Sequence, residues 1–359
     1  MDISPKWMIN DFGIMKNLIS KLFLFCLLAI VPLIVVGKNC MSSYFVTPED
    51  FGCVSDDPNK AILNSAKLQE MIDYASKEGV TVLSSANKKY YIAKSLIIRE
   101  PITIEFNRGR LIATDTINMV VIDRSGKNNK LYSGKISGLY LDLNKKAKTG
   151  MDFLNAVKVH TSECWIFGVP KSSTGINVVK GGEMFFDHIH IEGGERGANG
   201  FKIETHDCHF SDCVMINCYV AIDNKGSNFF ERIHAWMEDG RWIPGGCFFK
   251  IRGGGPIYVH QCFSDTFDKS FQIERKTKLF ISQQKNFHNI NMWKWTPDMS
   301  TVKPHFFYFP TPSVSEESYI VLSESCIDGL TIGGINYQRF SNEKKHKIKI
   351  FNSIINVEK

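Results

Sequence analysis

The side chains best suited to chemistry fall in two short stretches, HIHIE at 188–192 and RIHAWME at 232–238. In each, every second residue is apolar: Ile189 and Ile191 in the first, Ile233 and Ala235 in the second. A period of two is that of a strand with one buried face. His188, His190 and Glu192 are then expected outside, as are Arg232, His234, Trp236 and Glu238. A third stretch, FSDCVMIN at 210–217, lies between them. Taking Phe210 as the equivalent of Phe185 predicts Val214 and Ile216 inside, with Cys213, Met215 and Asn217 outside. Strands stacked about 4.8 Å apart would then form three outward columns. These are His188–Cys213–Arg232, His190–Met215–His234 and Glu192–Asn217–Trp236. The turn DGRWIPGG at 239–246 adds Arg241 and Trp242. On the same parity Asp187 points inward.

A neutral imidazole can remove a proton next to a carboxylate that a guanidinium neutralises, and an indole can stack on the apolar face of a sugar. His190, Arg232, His234 and Glu192 are therefore the candidate catalytic residues. His188, Trp236, Glu238, Arg241 and Trp242 are candidates for substrate binding. Hydrolysis needs two carboxyl groups about 5–5.5 Å apart for retention or 6.5–9.5 Å for inversion. Glu192 and Glu238 lie two coils apart and offset along the strand, which puts their backbones beyond roughly 10 Å. Each residue also has a plainer reading. The histidines can be solvated, Trp236 can pack under the 239–246 turn, and the charged residues can form surface pairs of little energetic value.

The elements that position these residues are repeats. From about residue 102 onward, short β-rich runs alternate with turns rich in Gly, Asn and Asp. Ile176, Phe201, Ile222, Phe249 and Phe271 head one family of runs, spaced 25, 21, 27 and 22 residues apart. Phe185, Phe210, Phe229 and Tyr258 head another, spaced 25, 19 and 29. A period in the twenties with two or three strands per repeat predicts a β solenoid, each coil burying its apolar side chains against the next. The wall carrying Lys202, Glu204, Lys250, Arg252 and Glu274 alternates in sign and reads as solvated. His206, Asp207, Cys208 and His209 have ligand-type side chains, but they crowd one tight turn, and no metal is assigned. The aromatic group Trp293, Trp295, Phe306, Phe307, Tyr308 and Phe309 reads as core or end cap.

Ahead of the repeats, residues 46–83 combine Asp50-Phe51-Gly52, the Asp56–Asp57 pair and an apolar helix face of Leu68, Met71, Ile72 and Ala75. Asn64 or Ser65 is placed to cap that helix, predicted over about 64–77, and Gly79 to end it. With Gln69, Asp73 and Tyr91, this block resembles the N-terminal module of the pectate-lyase-like and polygalacturonase superfamily. The superfamily's Pro-x-Gly before the tyrosine is absent, replaced by Ser84 to Lys89. The resemblance implies a mainly β right-handed parallel β-helix with a short N-terminal helical cap. It also implies work on polysaccharide, with a lyase or epimerase as the first reading. A non-catalytic glycan-binding or scaffold protein is the second, and a tailspike-like depolymerase or glycoside hydrolase the third. The Asn-Thr-Asp, Gly-His-Gly and Arg-Ile-Lys signatures of polygalacturonases do not occur in the sequence, nor is the calcium-binding Asp cluster of pectate lyases recognisable.

Three segments are expected: a leader over 1–37, a cap over 38–100, and the β-helix with its C-terminal cap over 101–359. Lys16 and Lys21 precede the apolar run Leu22–Val36, which Gly37 ends, the pattern of a signal peptide starting at Met15. Fifteen residues at about 1.5 Å each fall short of a hydrocarbon core of about 30 Å. Retained, the segment would instead anchor the chain to a membrane. An exported, secreted, periplasmic or cell-surface location follows from either. The net charge of +6 permits an acidic polysaccharide as partner. No nucleic-acid motif is present. No cofactor is called for, and the scattered cysteines are expected to fill the interior.

Overall fold

The computed structural model describes residues 44–356 apart from 85, 124–132, 239–244, 288–304, 312–313, 315–317, 329–330 and 334–346. The leader, Arg241, Trp242, Trp293 and Trp295 lie outside the described residues. Among the described residues, three parallel sheets of 12, 11 and 11 strands run along the solenoid. One coil shows how they connect. His209–Ser211 belongs to sheet 1, Val214–Ile216 to sheet 2 and Val220–Asn224 to sheet 3, and the chain re-enters sheet 1 at Phe229–Glu231. Strand pairing begins at Phe45–Val46, so the strands ahead of residue 101 already belong to these same sheets.

The interior is a set of columns. Ile176, Phe201, Ile222, Phe249 and Phe271 pair in register along sheet 3 and are all buried, as their spacing predicted. Facing them, the rings of Phe186, Phe210 and Phe230 stack at 4.8 and 4.9 Å. Phe306, Phe307 and Phe309 are buried as well. Gly150, Gly175 and Gly200 follow one another where sheet 3 begins, and a Cβ on Gly175 would stand 2.6 Å from Ile191 Cγ2. Only glycine lets the coil close over that side chain.

The helix α1 (Ala61–Glu78) buries Leu68, Met71, Ile72 and Ala75 over the N-terminal end of the core. Gly79 ends it in the left-handed conformation at φ 69°. Asn64 and Ser65 do not cap it. Both lie inside the helix and are buried: Asn64 holds Val54 through its backbone N and O, and Ser65 Oγ accepts from Ala93 and Lys94. The capping oxygen upstream is that of Asp57, which receives the Asn59 N–H ahead of a short 3-10 turn.

One register differs from expectation. Phe185 pairs with His209 and then Phe229, whereas Phe210 pairs with Phe186 and Phe230. Each of these strands carries two adjacent aromatic or imidazole rings, one inward and one outward, and Phe210 is an inward one. Anchoring on it slips the coil by one residue, which reverses every side chain in it. Cys213 and Met215 are therefore buried, while Val214 and Ile216 face outward. Asp187 also lies on the outer side, because Phe186 before it points in.

Candidate functional site

Sheet 2 carries the predicted stripe in altered form. Its outward column runs Tyr140, Trp165, His190, Val214, His234 and Phe263, in register. The neighbouring column holds Glu192, Ile216 and Trp236. His190 and His234 are thus separated by Val214 rather than Met215. Trp165 lies between Tyr140 at 5.3 Å and His190 at 4.4 Å, stacked on both, so neither face of its ring is left for a ligand. The Trp236 ring tilts against His234 at 4.5 Å. His234 Nε2 stands 3.6 Å from Asp265 Oδ2, just beyond hydrogen-bonding distance. Burial against its neighbours pushes the His190 pKa below its ordinary value, which keeps the ring neutral near pH 7.

His188 and Arg232 are not on that stripe. They occupy the tight turn between sheets 1 and 2, where Glu163, His188, Asp212, Arg232, Gln261 and Gln283 all adopt positive φ near 50°. Successive turn residues donate their N–H to the carbonyl of the next coil, for example Asp212 to Glu231 and Arg232 to His260. The Arg232 guanidinium gives Asp212 two hydrogen bonds of 2.7 Å and gives a third to Glu231. A substrate carboxylate would have to displace Asp212 and Glu231 for Arg232 to act as the cation in carboxylate chemistry at His190 or His234. His188 Nδ1 bonds Asp187 Oδ2 at 2.8 Å, which raises the imidazole pKa. Ligand atoms of Asp187, His188 and Asp212 lie within 4.8 Å of one another. The Asp212 carboxylate is taken by Arg232, so the group carries no metal assignment.

Glu238 is exposed beyond the strand's end, where its carboxylate accepts from Asn217 Nδ2 at 2.9 Å and its N–H donates to Asn217 Oδ1. Asn217 itself is buried in a left-handed turn, not on the outward column. In the turn at 206–209, to which no metal was assigned, His209 stacks between Phe185 and Phe229 and Cys208 is buried. Cys164, Cys213 and Cys262 fill the interior beneath the left-handed turns. Burial pushes the Cys164 and Cys262 thiols up to about 12, too high for nucleophilic thiolates.

The wall of sheet 3 is more ordered than its alternating signs suggested. Asp152, Asn177, Lys202, Asp223, Lys250 and Gln272 form one outward column. Arg252 bonds Asp223 and pairs with Glu204 at 2.8 Å, and Glu204 also pairs with Lys225 at 3.4 Å. At one end Asp152 is buried between Asn118 and Asn177, each amide donating to one carboxylate oxygen at 2.6 Å. Burial drives its pKa above the ordinary carboxylate value, although both amides and the charge of Lys202 work the other way. Asp152 was not singled out from the sequence. A lone Asp in TGMDFLNAV carries no signal until its neighbours in adjacent coils are known.

No protein-family model matches the sequence, and no curated protein matches it. Solved structures do. An endo-xylogalacturonan hydrolase from Aspergillus tubingensis superposes with a TM-score of 0.57 at 9% identity, over 87% of this chain and 93% of the hydrolase. A tailspike of an Acinetobacter phage gives 0.56 at 12% identity over 89% of this chain, which spans only 63% of the tailspike. With three parallel sheets in register, one helix over the N-terminal end and these neighbours, the chain has the fold of the pectate-lyase-like and polygalacturonase-like right-handed parallel β-helix proteins.

Proposed function

We propose that the chain binds an extended acidic polysaccharide, outside the cytoplasm, against the outer face of sheet 2. The observation that carries this is the in-register outward column of His190, Val214, His234 and Phe263 with Trp236 beside it. Outward positions recurring about every 4.8 Å, with His190 and His234 two coils apart, suit a repeating ligand, and an indole beside an imidazole offers both stacking and hydrogen bonds. That the similar solved structures include a hydrolase named for a polysaccharide supports the class of ligand. Export rests on the sequence of Lys16, Lys21 and Leu22–Val36.

Turnover as a lyase or epimerase is the finer reading, and the neutral state of His190 favours it, since a base must be unprotonated. Arg232 would take part in that mechanism only by giving up Asp212 and Glu231, which pair with it. The test is to mix the full chain with acidic and neutral polysaccharides. Binding is followed by affinity electrophoresis, and turnover by unsaturated-uronate absorbance and reducing ends. Retarded migration on acidic polymers that Trp236→Ala abolishes is the expected result. Equal migration of wild type and Trp236→Ala on every polymer would overturn it. Unsaturated product that disappears in His190→Ala would establish the lyase.

A further inference from the structure

A cleft of about 350 Å³ opens on sheet 1 where α1 ends. It is at the small end of the range for ligand sites, roughly 300–1,000 Å³. Ala75, Val80 and Ile102 supply an apolar floor, and Thr81, Thr103 and Ser133 bring hydroxyl groups. Lys135, Lys158 and His160 bring the charge-bearing groups, and among the described residues no acidic one lines the cleft. The placement follows from register. Thr103, Lys135 and His160 are successive outward residues of one column, and Lys158 stands in the left-handed turn just ahead of His160's strand. Phe185, the next residue of that column, meets the His160 ring at 6.0 Å.

Both lysines already have partners outside the lining: Glu105 lies 2.7 Å from Lys135 and Glu183 lies 3.2 Å from Lys158. All four side chains are about half exposed, between 43 and 58%. Ion pairs in such contact with water are worth little, so a ligand carboxylate can compete for the ammonium groups. A floor of aliphatic carbon beneath hydroxyls and cations matches a ring that has one apolar face, several hydroxyls and one negative charge. A bare inorganic anion would gain nothing from that floor.

We propose that this cleft binds a single carboxylated sugar. The ring lies over Val80 and Ile102, its hydroxyls meet Thr81, Thr103 and Ser133, and its carboxylate meets Lys135, Lys158 and His160. The site is separate from the sheet 2 stripe and does not rest on the reading given to that stripe.

The full chain is titrated with glucuronate, galacturonate, glucose and inorganic phosphate, read by saturation-transfer NMR and calorimetry. A uronate is expected to bind while glucose and phosphate do not. Lys135→Gln/Lys158→Gln should weaken that binding about tenfold or more, because two charge partners are lost at once. Lys135→Arg should retain it, and Trp236→Ala should leave it unchanged. Both lysines are exposed, so the fold should persist, and circular dichroism checks this. No uronate binding, equal binding of glucose or phosphate, or an unaltered affinity in the double variant would each overturn the proposal. Loss of uronate binding in Trp236→Ala alone would move the site to sheet 2 and overturn it as well.

Discussion

Along sheet 1 the outward column reads Phe185, His209, Phe229, Tyr258 and Phe280, whereas along sheet 3 it reads Asp152, Asn177, Lys202, Asp223 and Lys250. Parallel in-register stacking sets each residue about 4.8 Å from its equivalents in the coils on either side. Rings profit from that distance. On sheet 1 successive centroids lie 5.2, 4.6, 4.9 and 5.2 Å apart with nearly parallel planes. Like charges would repel at the same distance, so sheet 3 alternates amides, cations and anions. The rings on sheet 1 spend their faces on one another and show only edges to solvent. The polar side chains of sheet 3 keep directional groups available. On sheet 1 the stacked rings therefore hold neighbouring coils together and leave no ring face for a sugar.

The comparison can be broken most severely from the inside. Phe210→Ala removes the middle ring of the buried Phe186–Phe210–Phe230 stack and should cost about 3–5 kcal/mol, read by urea unfolding. Phe229→Ala, on the outer ladder and 37% exposed, should cost only about 1 kcal/mol. Equal losses would mean that the outer ladder holds the coils together as strongly as the core.

Asp152 tests sheet 3 through pH. Its folded pKa is raised, so between the unfolded and folded values the native state binds more protons and stability falls as pH rises. Asp152→Asn removes that titration. The stability of wild type relative to the variant should be greatest below the ordinary carboxylate pKa and shrink as pH climbs through the raised value. A difference independent of pH would show that the carboxyl is not perturbed.

Glu204 should behave in the opposite sense and more weakly. Burial alone would raise its pKa, but the hydrogen bond and charge of Arg252, with Lys225, bring the net shift downward. Its contribution is present above the unfolded carboxylate pKa and lost as pH falls through the lowered one. Glu204→Gln should therefore cost about 1 kcal/mol near neutrality and nothing in acid, measured by thermal unfolding at both pH values. The smallest effect is expected at Arg232→Ala, which should leave glycan binding at sheet 2 unchanged, since its guanidinium faces Asp212 and Glu231. Loss of binding in that variant would return the arginine to the site.

The sequence by itself determined the solenoid, its helical cap and the register of sheet 3. Ile176, Phe201, Ile222, Phe249 and Phe271 are each followed by a polar residue, Asn177, Lys202, Asp223, Lys250 and Gln272, and recur at similar spacing, so their equivalence can be read along the chain even where Phe248 stands beside Phe249. Sheet 1 was not legible in the same way. Phe185–Phe186, His209–Phe210 and Phe229–Phe230 each offer two neighbouring rings, and only the packed interior decides which of the two turns inward. That single ambiguity reversed Val214, Met215 and Ile216 and so changed the composition of the candidate stripe. Arg232 and His188 were placed by alternation, but a left-handed turn interrupts alternation at that point, and no local pattern announces it when the residue is not glycine. The burial of Asp152 and the pairing of Arg232 with Asp212 arise between coils, from residues 34 and 20 positions apart along the chain in the Asn118–Asp152 and Asp212–Arg232 contacts. A strand's own sequence sets which of its faces is oily, but the neighbours a polar side chain meets are set by how the coils stack.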